Sequence, residues 1–136
     1  MELELNTVQK PEVDELLVIF LQTGWAKNRN RLDIQRLIDQ MEHFVTVRHG
    51  SQLVGFGRAI SDGVYRALIE DIIVHEKFRG KGIGGKLVLA LLAQIQSVEE
   101  IILHTETHLM EFYQDLGFRA NDCLTMNIRN WAEQKT

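Results

Sequence analysis

The sequence predicts an α/β domain with one mixed, mostly antiparallel sheet and flanking helices. Three observations point there. Two helical-period stretches precede any run of strands. The period then becomes twofold from Phe44 to Val74, with Gly50-Ser51 and Asp62-Gly63 as turn signals. After Val74 a glycine-rich segment opens a long helix that leads to another apolar run, and such a crossover sets its strand parallel to its partner.

The elements follow in order. Glu2 to Thr7 alternates Leu3 and Leu5 with polar residues, a short half-buried strand. Pro11 suits a first helical turn. Val13, Leu16, Leu17, Phe20 and Leu21 then share one helical face, with Gly24 as the stop. Trp25 to Arg31 reads as a loop. Ile34, Leu37, Ile38 and Met41 form a second helical face, with Asp33 as candidate cap. Phe44–His49, Leu53–Ser61 and Tyr65–Val74 form an antiparallel meander. Gly82 to Ser97 is a helix and Ile101 to Thr105 a short strand. Thr107 caps a helix whose face is Leu109, Phe112, Tyr113 and Leu116, stopped by Gly117. Phe118 to Ile128 is extended, in hairpin fashion.

At 136 residues the chain is long enough for a core and is expected as one domain, 1–136. A net charge of −4 argues against a general nucleic-acid binder. One cysteine, Cys123, excludes an intrachain disulfide framework and a cysteine-based zinc site. The five histidines have no metal-binding spacing, so no metal is expected. No secretory signal and no membrane-length apolar run are visible, so the expected location is cytoplasmic, with no membrane partner.

The chemistry concentrates in Ile69–Lys86, an apolar strand, a charged loop and a glycine-rich helix start. Lys77, Arg79, Lys81 and Lys86 lie there in an otherwise acidic chain. A helix N-terminus offers free N–H groups and the positive end of its dipole, and glycine clears room for a phosphate. Three motifs overlap. Gly80, Gly82 and Gly85 satisfy G-x-G-x-x-G, yet His75 to Arg79 separate them from the strand, unlike a dinucleotide fold. Gly80, Gly85 and Lys86 approach a P-loop, but Leu87 stands where Ser or Thr would bind magnesium. Arg79, Gly82 and Gly84 give R-x-x-G-x-G, which fits its context better.

That motif, after the fourth strand of this element order, resembles the GNAT family of acetyl-CoA-dependent N-acetyltransferases. The resemblance runs from Leu3 to about Met126, and Phe112-Tyr113-Gln114-Asp115-Leu116-Gly117-Phe118 is similar to the family's Tyr-x-x-x-Gly-Phe helix end. It implies a sheet splayed into a V between the fourth and fifth strands, with acetyl-CoA in the cleft and no metal. The pantetheine would bond the backbone along Ile72, Ile73 and Val74. The pyrophosphate would meet Arg79, Gly80, Lys81, Gly82, Ile83, Gly84 and Gly85. Thr105, Phe112 and Tyr113 would complete the cofactor contacts. Where many members carry an Asn, seven residues before Tyr113, this chain has Glu106; Thr105, Thr107 or His108 would have to replace that contact.

Acetyl transfer to an amine needs a group to take the amine's proton and one to protonate the leaving thiolate. Tyr113 matches the family position for the second role; as a purely packing residue it would be a core aromatic. Glu70 is the candidate base and substrate contact, with a plain salt bridge as the bland alternative. Strand alternation groups Leu68, Glu70, Ile72 and Val74 on one face and Ile69, Asp71 and Ile73 on the other. Asp71 rivals Glu70 only if a bulge flips the register; otherwise it is a hydrogen-bonded structural carboxylate. Trp25 lies in the loop that lines the acceptor pocket in the family, or is a packing anchor. Arg58 and Tyr65 flank the hairpin without an assigned role. The expected function is acetyl transfer to a primary amine of a small molecule or peptide. The alternative is a non-catalytic acetyl-CoA-binding regulator that docks a protein partner. Dimers are common in the family, which makes a homodimer possible on that ground alone; the sequence itself does not give the oligomeric state.

Overall fold

The computed structural model describes residues 2–134. The chain divides into a larger compact unit up to His104 and a smaller one from Thr105 onward.

In the larger unit, strands β1 (Glu4–Asn6), β2 (His43–His49), β3 (Gln52–Ser61), β4 (Arg66–Val74) and β5 (Glu100–Ile102) make one sheet, in the order β1-β2-β3-β4-β5. The first four pair antiparallel, and β5 runs parallel to β4, as the crossover requires. Helices α1 (Val13–Phe20) and α2 (Arg31–Gln40) cover one face, and α3 (Ile83–Gln94) covers the other. The first core gathers Leu16, Ile19, Phe20, Ile34, Phe56 and Ile73, the second Val45, Val47, Ile69, Ile83, Leu87 and Leu91. Each such side chain contributes roughly 1.5–3 kcal/mol when fully buried. Gly57 allows α3 to lie close to the sheet: a Cβ there would stand 2.7 Å from Ile72 Cδ1 and 3.2 Å from Leu91 Cδ1.

Helix boundaries differ from the sequence pattern at the caps. Asn30, not Asp33, caps α2; its side chain accepts the Asp33 N–H at 2.9 Å. Both residues are good caps three positions apart, and Arg31-Leu32 extend the helix forward. Gly24 does not end α1, which stops at Phe20; the Thr23 hydroxyl donates to the Phe20 carbonyl at 2.9 Å. Glu15 in α1 accepts the Glu12 N–H at 2.9 Å and pairs with Arg48 of β2. The Arg48 hydrogen bond holds the Glu15 carboxyl below the usual carboxylate range. A lowered folded-state pKa stabilises the fold above the unfolded value, and the gain is lost as pH falls through the folded value. Glu15→Gln should therefore be less stable than the parent at neutral pH. The gap in urea midpoint should close as pH drops into the acid range; a gap that stays constant would dismiss the pair as a source of pH dependence.

Two features of β4 shape the site. It pairs with β5 only through Arg66–Leu68 and then runs on to Val74 with β3 alone, so the sheet opens as the resemblance implied. It also carries a bulge: Arg58 faces Glu70 and Phe56 faces Ile73, so Gly57 alone faces both Asp71 and Ile72. Asp71 takes the extra position at φ 56°. Simple alternation therefore fails beyond Glu70. Ile72 and Val74 join the α3 face with Ile69, while Ile73 joins the α1–α2 core. Glu70, just before the bulge, lies opposite Arg58 on the α1–α2 side.

In the smaller unit, a 3-10 turn (Thr107–Leu109) leads into α4 (Met110–Asp115). Thr107 is inside the turn, and Glu106 precedes it in the capping position without a side-chain cap bond. The Phe118 N–H closes α4 on the Tyr113 carbonyl at 3.1 Å. The expected hairpin over 118–128 is not formed: among the described residues no strand lies there, and only the short helix α5 (Trp131–Gln134) follows. Leu124, Met126 and Ile128 alternate as in a strand but remain exposed. Twofold alternation marks a segment able to pair; it does not supply the ladder.

Candidate active site

The glycine turn has the form a phosphate requires. Gly80 and Gly82 hold φ values of 78° and 82°, the left-handed region where a side chain is strained. A Cβ built at either meets nothing within 4 Å, so the turn faces open space. Gly82 stands at the cap of α3, no side chain caps the helix, and no acidic residue sits in its first turn. The first intrahelical bond is from Lys86 N–H to the Gly82 carbonyl at 3.3 Å, which leaves the N–H groups of Ile83, Gly84 and Gly85 without an intrahelical acceptor. Lys77, Arg79, Lys81 and Lys86 are exposed around it. Ile83 offers only its backbone, since its side chain is buried in the core beneath. The donors, the room and the charge all fit a diphosphate without a metal ion. Among the described residues no cluster of three metal-ligating side chains occurs.

The strand that feeds this turn carries the residues expected beside the turn. Among the described residues of this unit no strand pairs with β4 beyond Leu68 on the edge away from β3, and an unpaired strand edge is the kind of backbone an extended ligand can bond. The Arg79 side chain bends back so that Nε donates to the Val74 carbonyl at 3.2 Å. Ile73 offers backbone only, because its side chain is in the α1–α2 core.

Glu70 is half-buried, and among the described residues no ion pair or side-chain hydrogen bond engages its carboxylate. Asp71 is the opposite case. Its side chain is fully buried (0% exposed) and lies between two arginines. Arg58 Nε donates to Oδ2 at 2.7 Å, and Arg29 makes a two-pronged contact at 2.8 and 3.2 Å. Asp71 is thus the structural carboxylate, although the bulge that could have made it a rival base does exist. Removing one partner from such a buried group costs about 3–5 kcal/mol.

The Arg29 guanidinium also lies over the rings of Phe20 and Trp25, at 4.8 and 5.6 Å from their centroids. Trp25 itself is more than half exposed, so it is not part of the core. Arg58 contributes in turn to a cavity of about 260 Å³ between the end of α2 and β3, lined also by Met41, Glu42, His43 and Ile60. Sequence reading passed over Arg29 and left Arg58 without a role. The signal available was Asp71, an acid in an apolar strand, which demands a cationic partner once buried.

In the smaller unit Tyr113 is half-buried between the edges of Phe112 and Phe118, with centroids 4.9 and 5.9 Å away. Burial pushes the phenol's pKa up, so the hydroxyl keeps its proton at neutral pH. Thr105 is exposed. Glu106 Oε2 lies 3.2 Å from His108 Nδ1, so the acid at the family's Asn position is beside an imidazole.

Comparison with known proteins agrees with the fold. An N-acetyltransferase of uncharacterised role from Pyropia yezoensis is 40% identical over 70 residues, covering 50% of this chain and 40% of that protein. Serotonin N-acetyltransferase 2, a chloroplastic protein of Oryza sativa subsp. japonica, is 28% identical over 116 residues, covering 79% of this chain and 56% of that one. This chain thus spans about half the length of these curated relatives. The solved structure of a GNAT-family acetyltransferase from Streptococcus pneumoniae superposes with a TM-score of 0.82 at 22% identity, over 95% of this chain and 98% of that one, and shares the fold. The acetyltransferase (GNAT) family as a whole matches residues 10–118, taking in the glycine turn, Glu70 and the Tyr113 helix, and the chain belongs to that family.

Proposed function

We propose that this protein is an acetyl-CoA-dependent N-acetyltransferase that acetylates a primary amine of a small molecule or peptide. One observation carries the reading: an uncapped helix start behind two left-handed glycines, facing open space at the end of a strand with an unpaired edge. Acetyl-CoA would supply an activated acetyl group as a thioester. The N–H groups from Arg79 to Gly85 hold the diphosphate, and the β4 backbone at Ile72 and Val74 holds the pantetheine arm. Glu70 would be the carboxylate that accepts the amine's proton and Trp25 would bound the acceptor; by its family position Tyr113, in the smaller unit, would protonate the departing thiolate.

Calorimetric titration with acetyl-CoA, with NAD and ATP as controls, tests the cofactor claim. Micromolar binding of acetyl-CoA alone is the expected result, and its absence would remove the enzyme reading. Thiol release is then followed with serotonin, the amine named for the rice relative, and with a lysine peptide. Tight acetyl-CoA binding with no thiol release across a broad amine panel would favour a non-catalytic regulator. Among the described residues no helix is long and apolar enough to cross a membrane.

A further inference from the structure

The segment between α1 and α2, residues 21–30, contains no extended helix or strand, yet it is fastened to β4's neighbourhood at two separate points. At its start, the Gln22 side-chain oxygen accepts the N–H of Glu76, just after β4 and just before the glycine turn, at 2.9 Å. At its end, Arg29 grips Asp71 on the bulge with two hydrogen bonds. Between them Thr23 turns the chain by accepting the Ala26 N–H at 2.7 Å, and Ala26 is buried. Trp25, which projects from this span, is steadied by the Arg29 guanidinium. The stretch of β4 bracketed by the two fastenings is the one that carries the cofactor edge, and Glu70 immediately precedes the bulge.

We propose that Arg29 and Asp71 are positioning residues for the acceptor amine, which rests on the acetyltransferase reading above. Neither moves a proton. Asp71 is enclosed by two guanidinium groups, and Arg29 has no acceptor capacity. Their effect is geometric. The ion cluster fixes the loop, and with it the Trp25 wall, against the backbone that presents Glu70. A carboxylate suits this task because it can take a two-pronged arginine from the loop and a second arginine from β3 at once. The bulge suits it because an extra residue in the left-handed region can leave the alternation of the strand and turn its side chain to the α1–α2 side, where Arg29 and Arg58 are. The Arg58 guanidinium extends the cluster to the cavity at the end of α2, so a single buried carboxylate organises Trp25 on one side and the cavity wall on the other.

The test uses Arg29→Met, because Arg29 is the more exposed partner (31%) and its loss leaves Asp71 paired with Arg58. With acetyl-CoA and either serotonin or the lysine peptide, KM for the amine should rise about fivefold, as for a residue that acts without touching the ligand. Acetyl-CoA affinity by calorimetry and kcat should stay within about twofold. Arg29→Lys, which keeps the charge but loses the fork, should fall between the two. Asp71→Asn is the stronger variant and is read only if its circular dichroism matches the parent. A purely structural role predicts a lower melting temperature with unchanged KM well below it, and that result would overturn the proposal. If neither amine is turned over, the comparison is made on whichever amine of a broad panel the parent accepts; if the parent binds acetyl-CoA but turns over none of that panel, the acetyltransferase reading fails first and this proposal with it. Parent turnover with an indifferent Arg29→Met fails this proposal alone.

Discussion

Gly82→Glu is expected to abolish acetyl-CoA binding while the domain stays folded. Gly82 holds φ 82° at the cap of α3, and the space in front of it is empty to 4 Å. A glutamate there does two things. It forces an L-residue into the left-handed region, at a cost of roughly 1–2 kcal/mol. It also places a carboxylate at the mouth of a cradle whose free N–H groups and exposed lysines suit a diphosphate. The strain is small beside the ~5–15 kcal/mol of a typical domain, so the fold survives. The charge is not small, because a carboxylate and a diphosphate would compete for the same donors. Gly82→Ala separates the effects: it carries the strain without the charge and should retain weakened binding. Titration calorimetry reads both variants, and circular dichroism confirms the fold. Normal affinity in Gly82→Glu would mean that the cradle lies elsewhere.

Much of this site is legible in the sequence because it depends on local rules. Glycines at 80 and 82 mark a turn without side chains, and both stand in the left-handed region with exposed basic residues around them. The twofold period of Phe44–Val74 reports the meander. What could not be read depends on partners distant in sequence. The bulge at Asp71 arises where Gly57 faces two residues of β4, and nothing in the strand's own pattern marks it. It reverses the faces of Ile72, Val74 and Ile73, so alternation gave the wrong grouping beyond Glu70. Arg29 lies 42 residues from Asp71, too far for any periodicity to join them. The 118–128 stretch shows the converse limit: Leu124, Met126 and Ile128 alternate well, yet alternation alone does not make a sheet.

Tyr113→Phe is expected to lower kcat tenfold or more, with acetyl-CoA affinity little changed. The substitution removes one hydroxyl and keeps the ring that packs edge-on between Phe112 and Phe118, so the unit around α4 should persist. Among the described residues no hydrogen bond engages that hydroxyl. Its loss therefore leaves no protein partner unsatisfied. The size of the effect follows from the acidity. A well-matched general acid contributes on the order of 10²–10⁴. Burial raises the Tyr113 phenol above a value that is already high for that task, which makes it a hydrogen-bond donor to a thiolate more than a strong acid. The loss should thus fall at or below the low end of that range. The same shift keeps the donor protonated through neutral pH, so the parent's rate should not decline there on this account. Single-turnover thiol release isolates the chemical step from product release, and calorimetry gives the affinity. A single-turnover rate equal to the parent's would take Tyr113 out of the chemistry and reduce it to a packing residue. A drop in rate matched by an equal loss of affinity would instead place the hydroxyl in cofactor binding, since an interaction made only in the transition state leaves ground-state binding untouched.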